Sequence, residues 1–173
     1  MTTAVQRIHI RQLPQDFEQI FRSHHELVYR TAYRITGSAH DAEDVLQTLF
    51  LRLLRRECPP DIDKNPKGYL HRAAVNIALD VIKARSRNTS EEPGDVAVEA
   101  GSNNSEIQEC LRHALSELNP RAAEIFVLRH VEGYDNAEIA GMLGTSRGTV
   151  AVLLFRARAR LKKSLRIQLG EKS

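Results

Sequence analysis

Apolar residues recur at intervals of three and four along most of the chain, the period of a helix with one buried face. Phe17, Ile20, Phe21, His24, Val28, Ala32 and Ile35 make the first stripe, and Gly37 ends it. Ser38 is placed to cap a second helix, with Asp41 three residues on as in a capping box. That helix turns Ala42, Val45, Leu46, Leu49, Phe50 and Leu53 inward. A loop with Pro59 and Pro60 follows over 57–65, and Asn65-Pro66 then has the order of a cap and a first-turn proline. The third stripe is Leu70, Ala73, Ala74, Ile77 and Val81.

The period is lost over 88–104, NTSEEPGDVAVEAGSNN, an acidic stretch rich in Ser, Gly and Asn with the composition of a linker. It resumes with Ser105 and Gln108 as a capping box and Ile107, Cys110, Leu111, Ala114, Leu115 and Leu118 as a stripe. Asn119-Pro120 opens a nearly all-apolar helix that Gly133 stops; Asp135 and Glu138 cap a short one that stops at Gly144; Ser146 caps the last and longest. No strand-like alternation occurs. The pattern predicts an all-α protein of two small helical domains, 1–87 and 105–173, joined by a flexible acidic linker over 88–104.

The last two helices have the spacing of a helix-turn-helix. Such a motif needs a small residue where its helices touch, a glycine at the turn four residues later, and a β-branched packer six residues beyond. Ala140, Gly144 and Val150 stand at those positions, with Ile139 and Leu143 as buried partners. Val150, Leu154 and Ala157 then face inward, and Arg147, Gly148, Ala151, Val152 and Phe155 outward. Within the outward set only Arg147 can make a bidentate contact with a base edge. Ser146, Thr149 and the first backbone amides can hold a phosphate, and Arg156, Arg158, Arg160 and Lys162 can add backbone contacts. This is a grip on duplex DNA that reads few bases. A plain helical hairpin is the competing reading of the same spacing.

Charge agrees with one polyanion-binding surface. The 173 residues carry a formal net charge of only +3. Yet residues 156–166 hold six basic side chains and no acid, while 88–106 hold five acids and no base. Hydrophobic content of 42% and charged content of 27% are those of an ordinary globular protein. Cys58 and Cys110 lie far apart with neither disulfide nor metal spacing, and no apolar run suits a signal peptide or a membrane span. A cytoplasmic protein with reduced thiols is expected.

Three stretches carry a family resemblance. DAEDVLQTLFLRLLRR, residues 41–56, resembles the polymerase-binding helix of the extracytoplasmic-function (ECF) class of bacterial σ70-type sigma factors, usually something like DAEDLVQETFLR. NPKGYLHRAAVNIALDVIKARSR, residues 65–87, is similar to the same family's promoter-melting and −10-recognition helix. LNPRAAEIFVLRHVEGYDNAEIAGMLGTSRGTVAVLLFRARARL, residues 118–161, is similar to its −35-binding domain. The resemblance runs from about residue 17 to 165, in the family's order and with its linker.

It implies a σ2-like domain over 1–87 and a σ4-like domain over 105–173. The implied partners are core RNA polymerase, through the coiled coil of its largest subunit, promoter DNA and, as in many relatives, an anti-sigma factor. No cofactor, metal or catalytic residue is implied. Asp41, Glu43, Asp44, Gln47 and Phe50 match the polymerase-docking segment. Tyr69 takes the place of the usual tryptophan, Asn76 and Asp80 match positions that reach −10 bases, and the loop over 57–67 matches the one that captures a flipped base. Ser146, Arg147, Thr149, Arg156 and Arg158 are the expected −35 contacts. Thr48 stands where an acid is common, Val75 where an arginine is frequent, and Ala151 and Leu153 where lysine and arginine usually meet the −35 element. That places −35 preference on Arg147, Thr149 and DNA shape.

Two other readings compete. A stand-alone helix-turn-helix regulator accounts for the C-terminal half but gives the polar string from Asp41 to Gln47 no role. A metal-dependent HD phosphohydrolase would use His24 or His25, His40-Asp41 and Asp80. Against it, His24 lies on an apolar stripe and Asp41 at a helix start, and a lone motif match is weak.

Overall fold

The structure, a computed structural model, describes residues 17–55, 65–91 and 103–170. Its elements among these residues are all helices: α1 (Phe17–Thr36), α2 (Ala39–Leu54), α3 (Pro66–Glu91), α4 (Asn103–Ser116), α5 (Pro120–His130), α6 (Asn136–Leu143) and α7 (Arg147–Gln168). None is long and apolar enough to cross a membrane.

The boundaries follow local chemistry. Gly37 takes φ 67°, a left-handed conformation that ends α1, and the Ser38 side chain accepts from the Asp41 amide to start α2. The Asn65 Oδ1 accepts from Gly68 N at 2.9 Å, and Asn119 caps α5 ahead of Pro120. Asp135 and Glu138 form a complete capping box on α6. Gly144, at φ 59°, closes that helix, and Ser146 caps α7.

Two expectations need correction. The helices run into the stretch read as a linker from both sides, α3 to Glu91 and α4 from Asn103, so Ser105 lies within α4 rather than capping it. The hydroxyl of Thr89 donates to the Arg85 carbonyl at 3.0 Å, so a polar residue suggestive of a loop is absorbed into the helix. Residues 92–102 lie outside the described residues.

The two halves also pack on each other. α1, α2 and α3 pack together, as do α5, α6 and α7 with α4 on α7; α3 in turn lies against α4 and α5. One buried cluster therefore runs through both halves, from Val28, Val45 and Leu49 through Leu70 and Val75 to Ile125, Leu128, Ile139 and Val150. Sandwiched in this way, α3 buries Leu70, His71, Ala74, Val75, Ile77, Ala78, Leu79 and Ile82, well beyond the single stripe its sequence suggests. A Cβ on Gly37 would come within 2.1 Å of the Arg112 guanidinium, which reaches across from α4 to donate to the Ile35 carbonyl at 3.2 Å.

Candidate nucleic-acid interface

The hairpin of α6 and α7 has the geometry its spacing predicts. Ile139, Ala140 and Leu143 are buried on one side of the turn, and Val150, Leu154 and Ala157 on the other, each at 8% exposure or less. Arg147, Gly148, Thr149, Ala151, Val152, Phe155 and Arg156 are exposed, with Phe155 at 74%. Ser146 accepts from the Thr149 amide at 3.0 Å, and the two hydroxyls lie 2.9 Å apart, so both side chains already brace the helix start. The Asp135 carboxyl on the neighbouring cap is held below the usual carboxylate range, chiefly by the hydrogen bond from the Glu138 amide.

Arg158 departs from expectation. Its guanidinium meets His130 Nε2 at 3.1 and 3.2 Å, on the flank that faces α5. There it lines a groove of about 460 Å³ with Leu111, Phe126, Leu161 and Leu165, rather than standing beside Arg147. Burial, then Arg158, then Arg129, lowers the pKa of His130 below its ordinary 6.5. Leu153, at a position where the family usually carries a basic −35 contact, is half-buried against the core.

The expected −10 residues lie along α3 in unlike surroundings. Asp80 is exposed and Tyr69 half-buried. Asn76 donates through Nδ2 to the Glu124 carboxylate of α5 at 3.0 Å, and Arg72 Nε donates to the same oxygen at 2.5 Å. Arg121 adds a 3.4 Å contact, and the Glu124 side chain is only 5% exposed. One turn away, His71 lies 2.6 Å from the Tyr134 hydroxyl through Nδ1 and pairs through Nε2 with Glu132, whose side chain is 2% exposed. Burial, then the nearby Glu132, raises the Tyr134 pKa above its ordinary value. The two ring nitrogens of His71 thus bridge the phenol and the carboxylate. Thr31 and Arg34 of α1 reach the same Glu132 oxygen at 3.4 Å, while its second oxygen is buried without a partner.

On α2, Glu43, Asp44 and Gln47 are exposed, as a docking surface requires. Asp41 is not free: Arg85 of α3 donates to it at 3.0 Å. Phe50 lies in the core, as its place on the apolar stripe predicts. It is 5% exposed, with the rings of Phe17 and Phe21 edge-on to it at 6.0 and 4.8 Å. It belongs to the same apolar stripe as Leu49 and Leu53, and can shape the docking face only from beneath. Residues 57–64 of the expected base-capturing loop lie outside the described residues.

The phosphohydrolase pattern does not assemble. Among the described residues, the His, Cys, Asp and Glu side chains close enough to share an ion are His40, Asp41 and Asp44, without His24, His25 or Asp80.

Sequence reasoning missed Glu124, Glu132, His71, Arg72 and Arg112. Glu124 alone left a local signal, as an acid inside the apolar run from Ala122 to Leu128. The contacts that the others make across the fold span about 50 to 100 positions, as in Arg72 with Glu124 at a separation of 52 and Thr31 with Glu132 at 101.

Comparison with known proteins agrees with this architecture. Residues 20–88 match the family described as Sigma-70 region 2, and residues 108–161 match Sigma-70, region 4. The ECF RNA polymerase sigma factor SigE of Mycolicibacterium smegmatis is 32% identical over 160 residues, covering 86% of this chain and 61% of that relative, so the chain spans under two thirds of its length. The RNA polymerase sigma-E factor of Streptomyces avermitilis is 31% identical over 152 residues, covering 87% of this chain and 85% of that protein. A solved structure of the sigma factor RpoE in complex with the anti-sigma factor NepR, from Bartonella quintana, shares the fold. It does so at a TM-score of 0.52 and 21% identity, covering 89% of this chain and 99% of that one.

The chain belongs to the ECF class of σ70-family RNA polymerase sigma factors. It is a transcription initiation factor and not an enzyme.

Proposed function

We propose that this sigma factor binds core RNA polymerase through α2 and directs it to promoters in the cytoplasm, holding the −10 strand with the domain over 1–87 and the −35 duplex with the domain over 105–173. Glu43, Asp44 and Gln47 form the contact with the coiled coil of the largest subunit, with Asp41 joining once Arg85 releases it. Tyr69, Asn76 and Asp80 receive the melted −10 strand. An unpaired base gives up stacking in the duplex and regains it, with hydrogen bonds, on the protein. Arg147 reads a −35 base edge, while Ser146, Thr149 and Arg156 hold phosphates at the start and outer side of α7. Arg158, turned toward His130, contributes field rather than a base contact.

The observation that carries this reading is the outer face of α7: a capped helix start with Arg147 exposed beside it, and no second guanidinium on the helix before Arg156. A grip with so few readers needs a second anchor, and the exposed acidic face of α2 supplies it by docking. The neighbour bound to NepR supports an anti-sigma factor as a further partner, for which exposed Val152 and Phe155 are suitable surface.

In vitro transcription with core polymerase and a promoter library tests the reading. Promoter-selective transcripts that require the added chain are expected. Tight binding to duplex DNA without polymerase, and no effect on core enzyme, would instead establish a stand-alone regulator.

A further inference from the structure

The outermost line of α7 is apolar where a reading helix would be polar. Gly148, Val152, Phe155 and Ala159 follow one another at intervals of four, three and four, so they share the side opposite Val150, Leu154 and Ala157. All four are exposed, Val152 at 49% and Phe155 at 74%. We infer that this strip reads the −35 element through the C5 methyl groups of its thymines. Specificity then rests on apolar contact where the family resemblance leads one to expect hydrogen bonds from basic side chains. This rests on the reading of α7 as the −35 helix.

The charges beside the strip match the cross-section of a major groove. Thr149, Arg156 and Arg160 run along one edge and Arg147 and Lys162 along the other, all exposed. From Arg147 to Gln168 the helix has no acidic residue. A duplex offers the same arrangement in reverse, a floor of base edges between two walls of phosphate. On that floor the thymine methyl is the apolar group. Val152 or Phe155 set against a base carbonyl, ring nitrogen or amine would strip it of water without replacing the hydrogen bond. Set against a methyl, both sides shed water favourably. A second copy of this chain fits worse, because two such faces would bring cation against cation.

Small residues let the helix come close. Gly148 has neither a positive φ nor a neighbour that demands glycine: a Cβ there would meet the Ser146 hydroxyl at 3.7 Å, an ordinary contact. Glycine lowers helix stability relative to alanine, so its use where the fold does not require it suits a close approach from outside. Ala151 beside the strip is short and exposed as well. The backbone of the first two turns can therefore lie near the base edges, within reach of the methyls for Val152 and Phe155.

The test uses holoenzyme reconstituted with the full chain and a −35 duplex from a promoter it transcribes. Each thymine of the element is replaced in turn by deoxyuridine, which lacks only the C5 methyl, and binding is measured by competition. The parent should lose about fourfold in affinity for each methyl that the strip contacts, the worth of one buried carbon. Val152→Ser with Phe155→Ala, both at exposed positions, should bind the thymine and uracil forms equally. Ile167→Ala, at an exposed apolar residue of the same helix outside the strip, should keep the parent's ratio. Comparing ratios between variants cancels any change in DNA shape that the missing methyl causes. A selected −35 element without A·T pairs overturns the inference. So does equal binding of both forms by the parent at every position, or a ratio that survives the double variant; either result leaves the strip to a protein partner. Arg147→Ala separates the two failures. If it abolishes −35 preference while uracil changes nothing, the −35 reading stands and methyl recognition alone falls. If neither has any effect, α7 is not the −35 helix.

Discussion

α3 and α7 are the two helices assigned to DNA, and they are built in opposite ways. α7 stands at the edge of the fold. It buries Val150, Leu154, Ala157 and Leu161 as a narrow stripe and leaves Arg147, Val152, Phe155 and Arg156 in water. α3 is enclosed by α1 and α2 on one side and by α4 and α5 on the other, and Arg72 and Asn76 are engaged by Glu124. On the proposed reading, the outer face of α7 is open to DNA as the chain stands, while Arg72 and Asn76 of α3 are held by Glu124.

The sharpest way to break the comparison is to place a basic residue on each helix where the family resemblance leads one to expect it. Val75→Arg should be the most damaging change, because Val75 is 0% exposed and the guanidinium would be buried without a carboxylate. A loss of several kcal/mol, a large share of a typical domain's ~5–15, is expected as a collapse of the denaturation midpoint. Glu124→Ala should follow, at about 1–3 kcal/mol, reduced from a fully buried pair because the Arg72 side chain is 37% exposed. Chemical denaturation measures it, and a change below a few tenths of a kcal/mol would mean that the contact is spent on specificity alone.

Changes on α7 should move binding and not folding. Arg147→Ala should weaken holoenzyme binding at the −35 duplex by about 1–3 kcal/mol and relax the base preference there, while the melting temperature holds. An unchanged −35 preference would remove Arg147 from the reading face. Ala151→Lys should leave stability within about 0.5 kcal/mol, since the site is exposed, and steepen the salt dependence of DNA binding by about one unit of slope.

The smallest effect is a pH dependence at the flank of α7. His130 is lowered from 6.5 in the folded chain, so the unfolded chain binds more protons in the window just below that value. Its contribution is intact above 6.5 and is lost as pH falls toward the lowered pKa. A melting series across that window should slope downward into acid, and His130→Gln should flatten it.

Much of the fold was legible because its signals are local. Caps at Ser38, Asn65, Asn119, Asp135 and Ser146 and stops at Gly37 and Gly144 act within one turn, and the structure places helix ends at each. The helix-turn-helix was legible for the same reason: Ala140, Gly144 and Val150 lie within ten positions of one another. Where local reading went astray, a distant partner or a second layer intervened. Arg158 sits in the basic run but turns to His130.

By itself, then, the amino-acid order determined which segments are helical, where most of them end, and that α6 and α7 form a helix-turn-helix hairpin, since periodicity and capping are short-range effects. Only the tertiary structure decided that α3 is covered on both sides, that Glu124 engages Asn76, and that Glu132 gathers Thr31, Arg34 and His71. Those contacts join positions tens of residues apart. A carboxylate's burial and its partners depend on which helices pack beside it, and no local pattern carries that information.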